Sequence, residues 1–187
     1  SNIRRGHLNS RFFELGLCFS GISVEDQVQK IAGIISGNRY NSQWASSERE
    51  VDFFDIKSDV EALLALSKQD YTFEAATHPA LQMGQSAKIM KGKKHIGWVG
   101  ALSPKLQKKL SMPSAFLFEL VQSEIEQGET PSYASFSSFQ ASQRDIAIVV
   151  SKELSADELI DSIRSLKQAD LVDVNLFDVY EGEHIEQ

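Results

Sequence analysis

The sequence predicts an α+β protein in two parts, a mostly antiparallel sheet with helices followed by a smaller β-α-β unit. Two observations support this division. Short apolar stretches suited to strands alternate with helical ones, and several of the strands are close enough to join as hairpins. A stretch rich in Ser, Gln and Glu, QSEIEQGETPSYASFSSFQASQ at residues 122–143, then separates the two parts and is typical of a linker.

The first part opens with two predicted strands and the strongest helix in the sequence. The strands are RFFELGLCF and QVQKIAGIISG. The second stretch would also place Val28, Ile31 and Ile35 on a helix face, but Gly33 and Gly37 favour the strand. VDFFDIKSDVEALLAL is the predicted helix, because one stripe of it is apolar and its acidic residues lie toward the positive N-terminal end. The stripe consists of Ile56, Val60, Leu63 and Leu64.

A hairpin, a short helix and a further strand complete the first part. QSAKIM and HIGWVGAL flank the turn KGKK, and alternation puts Ile96, Trp98, Gly100 and Leu102 on one strand face. SPKLQKKL predicts a short helix with Ser103 as its cap and Pro104 in its first position. AFLFELV is a strand, in which Phe116, Phe118 and Leu120 alternate.

The second part reads as strand, helix, strand: RDIAIVV, SADELIDSIRSL and LVDVNLFDVY. Ser155 and Glu158 predict a capping box at the start of the helix. Its buried stripe is expected to comprise Leu159, Ile160, Ile163 and Leu166. Because two strands and one helix cannot close a stable sheet alone, we expect the chain to end inside a domain.

Composition limits the classes of function. The chain has 187 residues with 42% hydrophobic and 24% charged residues, and no apolar run reaches the ~18 residues of a membrane span. We therefore expect a soluble protein with no membrane partner. Cys18 is the only cysteine, which rules out an internal disulfide and fits the cytoplasm. The net charge of -7 restricts any contact with nucleic acid to a local surface.

No catalytic or metal-binding constellation emerges from the residue spacings. The four histidines lack metal-ligand spacing, and GWVG is better explained by close backbone packing than by a phosphate loop. Asp52, Asp55 and Asp59 are interpreted as a solvated helix face rather than a catalytic pair. A lysine concentration could be an exposed surface or, as the less favoured alternative, an RNA-backbone contact. It comprises Lys88, Lys91, Lys93, Lys94, Lys105, Lys108 and Lys109.

Seven stretches together resemble the C-terminal region of the bacterial phenylalanyl-tRNA synthetase beta subunit in order and approximate spacing. They are RFFELGLCF, IAGIISGNRY with VDFFDIKSDVEALL, HPALQMGQSAKI, IGWVGALSPKL, FLFEL, RDIAIVV and NLFDVYEG. Any one of these motifs is weak, but seven in order cover nearly the whole chain. One local departure is Gln82 and Met83, where the family often has a His-Pro pair.

The resemblance implies a fold and a division of labour. Residues 1–126 resemble the beta subunit's catalytic-like module, which has the shape of a class II synthetase core without its catalytic motifs. Residues 127–135 would be the linker, and residues 136–187 the N-terminal part of a ferredoxin-like anticodon-binding domain that is incomplete here. Family members usually continue with further strands and a helix, among them the strand that lies between the first two. Without them, tRNA binding by this chain alone is in doubt.

The resemblance also implies partners and cofactors. In that family the alpha subunit carries the ATP and phenylalanine site, so ATP and magnesium belong to the whole enzyme and no cofactor is expected in this chain. The expected partners are the alpha subunit, the rest of the beta subunit and tRNA-Phe, in a cytoplasmic heterotetramer. The alternative is a free-standing interaction or RNA-binding protein that reuses the same folds.

Asp178 and Tyr180 are the predicted tRNA-binding residues, a role that the resemblance to the anticodon domain carries to them. Alternation places them on one strand face with Val174 and Leu176, so the apolar pair would face the core and the other two would reach solvent. A tyrosine can stack on a splayed base, and a carboxylate can accept hydrogen bonds from guanine. The alternative is a tyrosine packed on its own domain beside a capping aspartate.

Overall fold

The computed structural model describes residues 9–45, 47–126, 132–133, 139–168 and 170–180. The chain divides into two compact units, Ser1–Tyr133 and Ala134–Gln187. Within the described ranges, no helix is both long and apolar enough to cross a membrane.

The first unit contains a six-stranded sheet in which every neighbouring pair is antiparallel. Its strands are β1 (Ser10–Phe19), β2 (Gln27–Ser36), β3 (Thr72–Ala75), β4 (Leu81–Lys91), β5 (Lys94–Leu102) and β6 (Ala115–Val121). Across the sheet they lie in the order β1-β2-β6-β5-β4-β3. The predicted antiparallel α+β architecture is thus confirmed for this unit, and the strand predicted over QVQKIAGIISG is β2.

Three α-helices and a 3-10 helix complete the described part of the first unit. They are the 3-10 helix Val24–Asp26, α1 (Phe53–Ala65), α2 (Pro104–Leu110) and α3 (Gln122–Ile125). Pro104 occupies the first turn of α2 as predicted, and Ser103 stands at the N-cap position. The predicted capping bond is wrong, however, because the Ser103 side chain makes no capping hydrogen bond.

The core lies between α1 and the centre of the sheet. Ile56, Val60 and Leu64 of α1 are almost fully buried, as the predicted stripe requires, while Leu63 is only half-buried. They pack with side chains from the central strands, among them Ile35, Ile89, Val99, Phe116, Phe118 and Leu120. Because each such side chain contributes about 1.5–3 kcal/mol on burial, this cluster is the main source of stability in the unit.

A β-bulge in β5 changes which residues of that strand face the core. Ile89 pairs with Gly97 and Met90 pairs with His95, so Ile96 is an extra residue opposite no partner. The bulge turns Ile96 to the core beside Val99. The predicted single face of Ile96, Trp98, Gly100 and Leu102 is therefore wrong, since Trp98 lies on the opposite face of the sheet with Lys88.

β1 is an edge strand whose apolar side chains are largely uncovered. Phe13 is 80% exposed and Phe19 is 67% exposed, and both lie on the same face of the sheet as α1. On that face, Arg11 forms an ion pair with Asp59 of α1 at 3.0 Å. The helix therefore covers the middle of the sheet and leaves the apolar surface of β1 open to solvent.

The second unit contains one helix, α4 (Ala156–Ser165), among its described residues. Its predicted capping box is confirmed: Ser155 Oγ accepts a hydrogen bond from the Glu158 N–H at 3.2 Å, and Glu158 accepts one from the Ser155 N–H at 2.9 Å. The hydrogen bond from the Ser155 N–H to the Glu158 carboxylate holds the pKa of that group below its usual range.

The two strands predicted in the second unit are not formed. Residues 144–150 and 171–180 have no regular secondary structure, because a strand needs hydrogen-bonding partners and neither segment finds one among the described residues. The helix stripe is also less buried than predicted. Leu159, Ile160 and Ile163 are half-buried, whereas Leu166 is exposed. The expected partner surface of α4 is therefore lacking within the described residues.

Candidate nucleic-acid interface

The three aspartates of α1 have structural roles. Asp52 is the N-cap, and its side chain accepts hydrogen bonds from the N–H groups of Phe54 and Asp55 at 2.8 Å and 3.0 Å. Asp59 pairs with Arg11. The interpretation of all three as a solvated face is wrong for Asp55, which is buried.

Asp55 is the centre of a buried ion-pair network. Its carboxylate accepts two hydrogen bonds from the Arg49 guanidinium, both at 2.8 Å, and Arg39 lies 3.3 Å away. Burial raises the pKa of Asp55, but hydrogen bonds from Arg49 and from the Asp52 N–H outweigh it, so the pKa lies below its ordinary value. These hydrogen bonds and ion pairs connect the loop before α1 to the helix. They also occupy both oxygens of the Asp55 carboxylate.

The GWVG glycines are required by close packing, as predicted. A Cβ atom added at Gly97 would lie 2.2 Å from the backbone oxygen of Glu119 on the neighbouring strand. One added at Gly100 would lie 2.7 Å from the backbone oxygen of Gln85. Both positions therefore exclude a side chain because another strand occupies the space.

Two described histidines flank Trp98. The His78 and His95 rings lie 4.9 Å and 5.0 Å from the indole ring, centroid to centroid. Each is also held locally: His78 Nδ1 accepts a hydrogen bond from the Ala80 N–H, and His95 Nε2 donates to the Gly97 carbonyl. His7 and His184 lie outside the described residues. Within those residues, no three His, Cys, Asp or Glu side chains come together as metal ligands would.

The predicted lysine concentration is divided between the β4–β5 hairpin and α2. Lys91 ends β4 and Lys94 begins β5 at the hairpin between them, and both pair with Glu124 of α3. Lys105, Lys108 and Lys109 belong to α2, which follows the other end of β5. Since a nine-residue strand is about 26 Å long at about 3.3 Å per residue, the two groups are far apart. Lys91 and Lys94 therefore do not share one basic patch with the three lysines of α2.

Asp178 and Tyr180 lie in a segment without regular secondary structure. Both are exposed, and Tyr180 is 68% exposed, so it is not packed against the described part of its own unit. The apolar residues expected to face the core do so only in part, because Val174 is half-buried and Leu176 is 46% exposed. The role of Asp178 and Tyr180 in RNA binding stays a prediction.

Two surfaces are present that the sequence did not predict. An apolar groove of about 370 Å³ lies between β1, the end of α1 and α3, with Leu15, Leu66 and Ile125 in its lining. A cleft of about 200 Å³ lies at the end of α4 and is lined by Arg164 and Lys167. The cleft could not be found from the spacing of Arg164 and Lys167, because Lys167 lies beyond the end of α4 and has a left-handed φ of 46°.

Comparison with known proteins identifies both units. Residues 1–121 match the family model described as "Phenylalanyl tRNA synthetase beta chain CLM domain". Residues 137–187 match the model described as "Ferredoxin-fold anticodon binding domain". The α+β class predicted from the sequence is thus confirmed. Residues 137–187 belong to a ferredoxin-fold family.

Three curated relatives are each named phenylalanine–tRNA ligase beta subunit. The protein from Nitrosococcus oceani is 42% identical over 181 residues, which are 94% of this chain and 23% of the relative. That from Pseudomonas putida is 40% identical over 99% of this chain and 24% of the relative. That from Coxiella burnetii is 39% identical over 94% of this chain and 23% of the relative. The chain spans about a quarter of the length of these relatives, and it belongs to the phenylalanyl-tRNA synthetase beta chain family.

Proposed function

We propose that the chain is a non-catalytic part of an alpha/beta phenylalanine–tRNA ligase, in which it helps to hold tRNA-Phe during ATP-dependent charging. One observation carries the proposal: a single chain matches the beta chain CLM domain over residues 1–121 and the anticodon-binding ferredoxin fold over residues 137–187. The match to the anticodon-binding domain supports RNA as the ligand. The match to the beta chain CLM domain supports a synthetase as the enzyme to which the chain belongs.

Residues 1–126 form a catalytic-like module of class II synthetase shape in this proposal. Residues 127–135 connect it to residues 136–187, the N-terminal part of the anticodon-binding domain. The antiparallel sheet covered by α1 supports the first assignment. The commitment of Asp52, Asp55 and Asp59 to capping and ion pairs supports a structural rather than catalytic role for this module.

The partners of the proposed function are the alpha subunit, the rest of the beta subunit and tRNA-Phe, in a cytoplasmic heterotetramer. The active site belongs to the alpha subunit, with ATP and magnesium bound there. The name shared by the curated relatives supports this, because a beta subunit of a ligase requires a second kind of subunit. This chain then contributes to charging by binding and positioning, which lowers the entropic cost of bringing tRNA to the reacting centre.

Asp178 and Tyr180 are the proposed contacts to the anticodon loop. The Tyr180 ring is available for stacking on a splayed base, since it is 68% exposed. The Asp178 carboxylate can accept hydrogen bonds from guanine N1–H and N2–H, the edge presented by the first base of a GAA anticodon. Among the described residues, neither side chain has a hydrogen-bond or ion-pair partner that would compete with RNA.

The function is tested by removing residues 136–187 from the beta subunit of the assembled alpha/beta enzyme. We expect kcat/KM for tRNA-Phe charging to fall while phenylalanine-dependent pyrophosphate exchange without tRNA is retained. The isolated 187-residue chain should show no such exchange. Unchanged charging by the shortened enzyme, or exchange by the isolated chain free of host synthetase, would contradict the proposal.

The two contact residues are tested in the same assembled enzyme by measuring tRNA-Phe affinity. Tyr180→Ala should weaken binding by about 1–3 kcal/mol, whereas Tyr180→Phe keeps the stacking ring and should bind like the unchanged protein. Asp178→Asn should weaken binding only when the first anticodon base is guanine. Equal affinities for all variants, with the fold intact, would remove these two residues from the interface.

A further inference from the structure

The cleft at the C-terminal end of α4 has the character of a site for one small anionic group. Its volume of about 200 Å³ is below the roughly 300–1,000 Å³ of pockets that enclose whole metabolites. Arg164, Lys167 and Gln168 supply cationic and amide donors to its lining, and Leu171 supplies an apolar wall. Asp173 also lines the cleft, and its Oδ1 accepts a hydrogen bond from the Val174 N–H at 2.9 Å.

The backbone fixes the two cations on either side of the helix end. Arg164 lies in the last turn of α4, and the Lys167 N–H donates a hydrogen bond to the Arg164 carbonyl at 3.0 Å. Lys167 has a φ of 46°, so the chain leaves the helix through a left-handed residue. The Leu171 N–H then donates to the Gln168 carbonyl at 3.1 Å, which closes the turn that forms the far side of the cleft.

Charge distinguishes this cleft from the rest of the unit. The described residues from 139 onward contain eight carboxylates and only four cations, Arg144, Lys152, Arg164 and Lys167. Arg144 donates to the Gln143 carbonyl, and Lys152 has a partner of its own. Within the described residues, Arg164 and Lys167 have no side-chain partner, and both line the cleft. They are therefore the cations of this unit most available to an external anion.

We infer that this cleft binds a backbone phosphate of the RNA held by the second unit. The inference rests on the proposed function, which makes RNA the ligand of this unit. Arg164 can donate two hydrogen bonds to one phosphate through its planar guanidinium, while Lys167 acts as a point charge and Gln168 as a neutral donor. An otherwise acidic unit repels a polyanion, so its few free cations must carry the phosphate contacts that hold RNA in register.

The salt dependence of tRNA-Phe binding tests the inference in the assembled alpha/beta enzyme. The double variant Arg164→Gln/Lys167→Gln should bind more weakly at every salt concentration. The slope of log K against log salt concentration should fall in magnitude by about 1 for each cation removed from the phosphate, about 2 in total. The matched control is Arg144→Gln/Lys152→Gln, which removes the same charge from the same unit outside the cleft and should change the slope by less than half as much.

A further variant and a deletion separate the possible outcomes. Arg164→Lys/Lys167→Arg preserves both charges and should have the slope of the unchanged protein. If the double variant with glutamines lost its slope only because replacing these two side chains disturbs the fold, this charge-preserving variant would lose it as well. If removal of residues 136–187 weakens binding but the double variant keeps the original slope, the cleft assignment is wrong and the proposed function stands. If the control changes the slope equally, the effect is general charge and the assignment is wrong. If the deletion leaves tRNA affinity unchanged, the proposed function fails and the cleft assignment with it.

Discussion

The two units of the chain obtain their secondary structure in different ways. In the first unit, each of the six strands is hydrogen-bonded to at least one neighbour, and the central strands share the core under α1. In the second unit, α4 is formed, but the two apolar segments beside it in sequence are not strands among the described residues. A helix closes its hydrogen bonds within itself, whereas a strand depends on residues far away in sequence.

The contrast between the units separates sequence signals that suffice by themselves from those that do not. The capping box of Ser155 and Glu158 forms because all its atoms lie within four residues. The alternation in LVDVNLFDVY is just as regular, yet it produces no ladder within the described structure. Local signals are therefore sufficient to predict a helix. Apolar-polar alternation predicts only which side chains would share a face if the segment paired as a strand.

Hydrogen exchange of the 187-residue chain should show the largest contrast between the units. Amides in the central strands β2, β5 and β6 should exchange only through global unfolding, which costs about 5 kcal/mol or more. Amides of residues 171–180 lack ladder bonds and should exchange about a thousandfold faster or more. Equally strong protection of both regions in a proven monomer would contradict this view of the second unit.

Gly97→Ala should strongly destabilise the first unit. The new Cβ would meet the Glu119 backbone oxygen at 2.2 Å, and the strands would have to separate. We expect the free energy of unfolding to fall by about 2–3 kcal/mol, as measured by urea denaturation. Gly16→Ala is the matched control on edge strand β1, where an added Cβ meets no atom within 4 Å and stability should change by less than about 1 kcal/mol. Similar losses for both variants would show that glycine flexibility, not packing, sets the effect.

Asp55→Asn should lower the free energy of unfolding at neutral pH by about 2 kcal/mol, because it weakens charged hydrogen bonds at a buried position. Since the folded-state pKa of Asp55 is below its ordinary value of 3.8, its contribution is complete above that pH and disappears as pH falls through the folded pKa. The difference in the free energy of unfolding between the variant and the unchanged protein should therefore disappear in acid. Urea denaturation midpoints measured across a range of pH would show this.

Asp59→Asn provides the control for Asp55, because its ion pair with Arg11 is exposed on both sides. Exposed pairs contribute about 1 kcal/mol at most, so this variant should be nearly neutral. A loss at Asp59 as large as that at Asp55, or a gap for Asp55 that persists in acid, would show that burial and pairing of Asp55 are not the source of its effect.

Ser155→Ala should have the smallest effect, at the start of α4. Loss of the cap should destabilise α4 by about 1 kcal/mol and increase exchange of its first-turn amides. Ser162→Ala, on the same helix away from its cap, is the comparison variant. Unchanged exchange of the first-turn amides after Ser155→Ala would show that the capping box does not hold the start of α4.

Much of the fold could be predicted from the sequence wherever the signal was local or repeated. Alternation in AFLFELV correctly gave the buried faces of Phe116, Phe118 and Leu120, and the apolar stripe of α1 was correct for its three most buried members. The bulge at Ile96 could not be predicted, because nothing in HIGWVGAL signals that one residue lacks a partner. Nor could the pairing of Lys91 and Lys94 with Glu124, which lies about thirty residues further along the chain.

The candidate site was less predictable than the fold for a related reason. The prediction of Asp178 and Tyr180 rests on a resemblance and on alternation, and the structure has both of them exposed in a segment without a ladder. The cleft of Arg164 and Lys167 depends on a left-handed turn after α4 that returns Leu171 to the helix end. The position of Leu171 beside the end of α4 is set by the tertiary structure, and helix propensity does not predict it.

The bulge in β5 has a consequence for how related chains are aligned. Residues on either side of Ile96 follow opposite alternation, so His95 and Trp98 contact one another although they are three positions apart. A relative that lacks Ile96 would regain a regular ladder with His95 and Gly97 still opposite their present partners, and it would lose one core side chain. Insertions and deletions in this family should therefore be placed at His95–Ile96 before they are placed in the turn at Gly92, even where the letters align equally well at both.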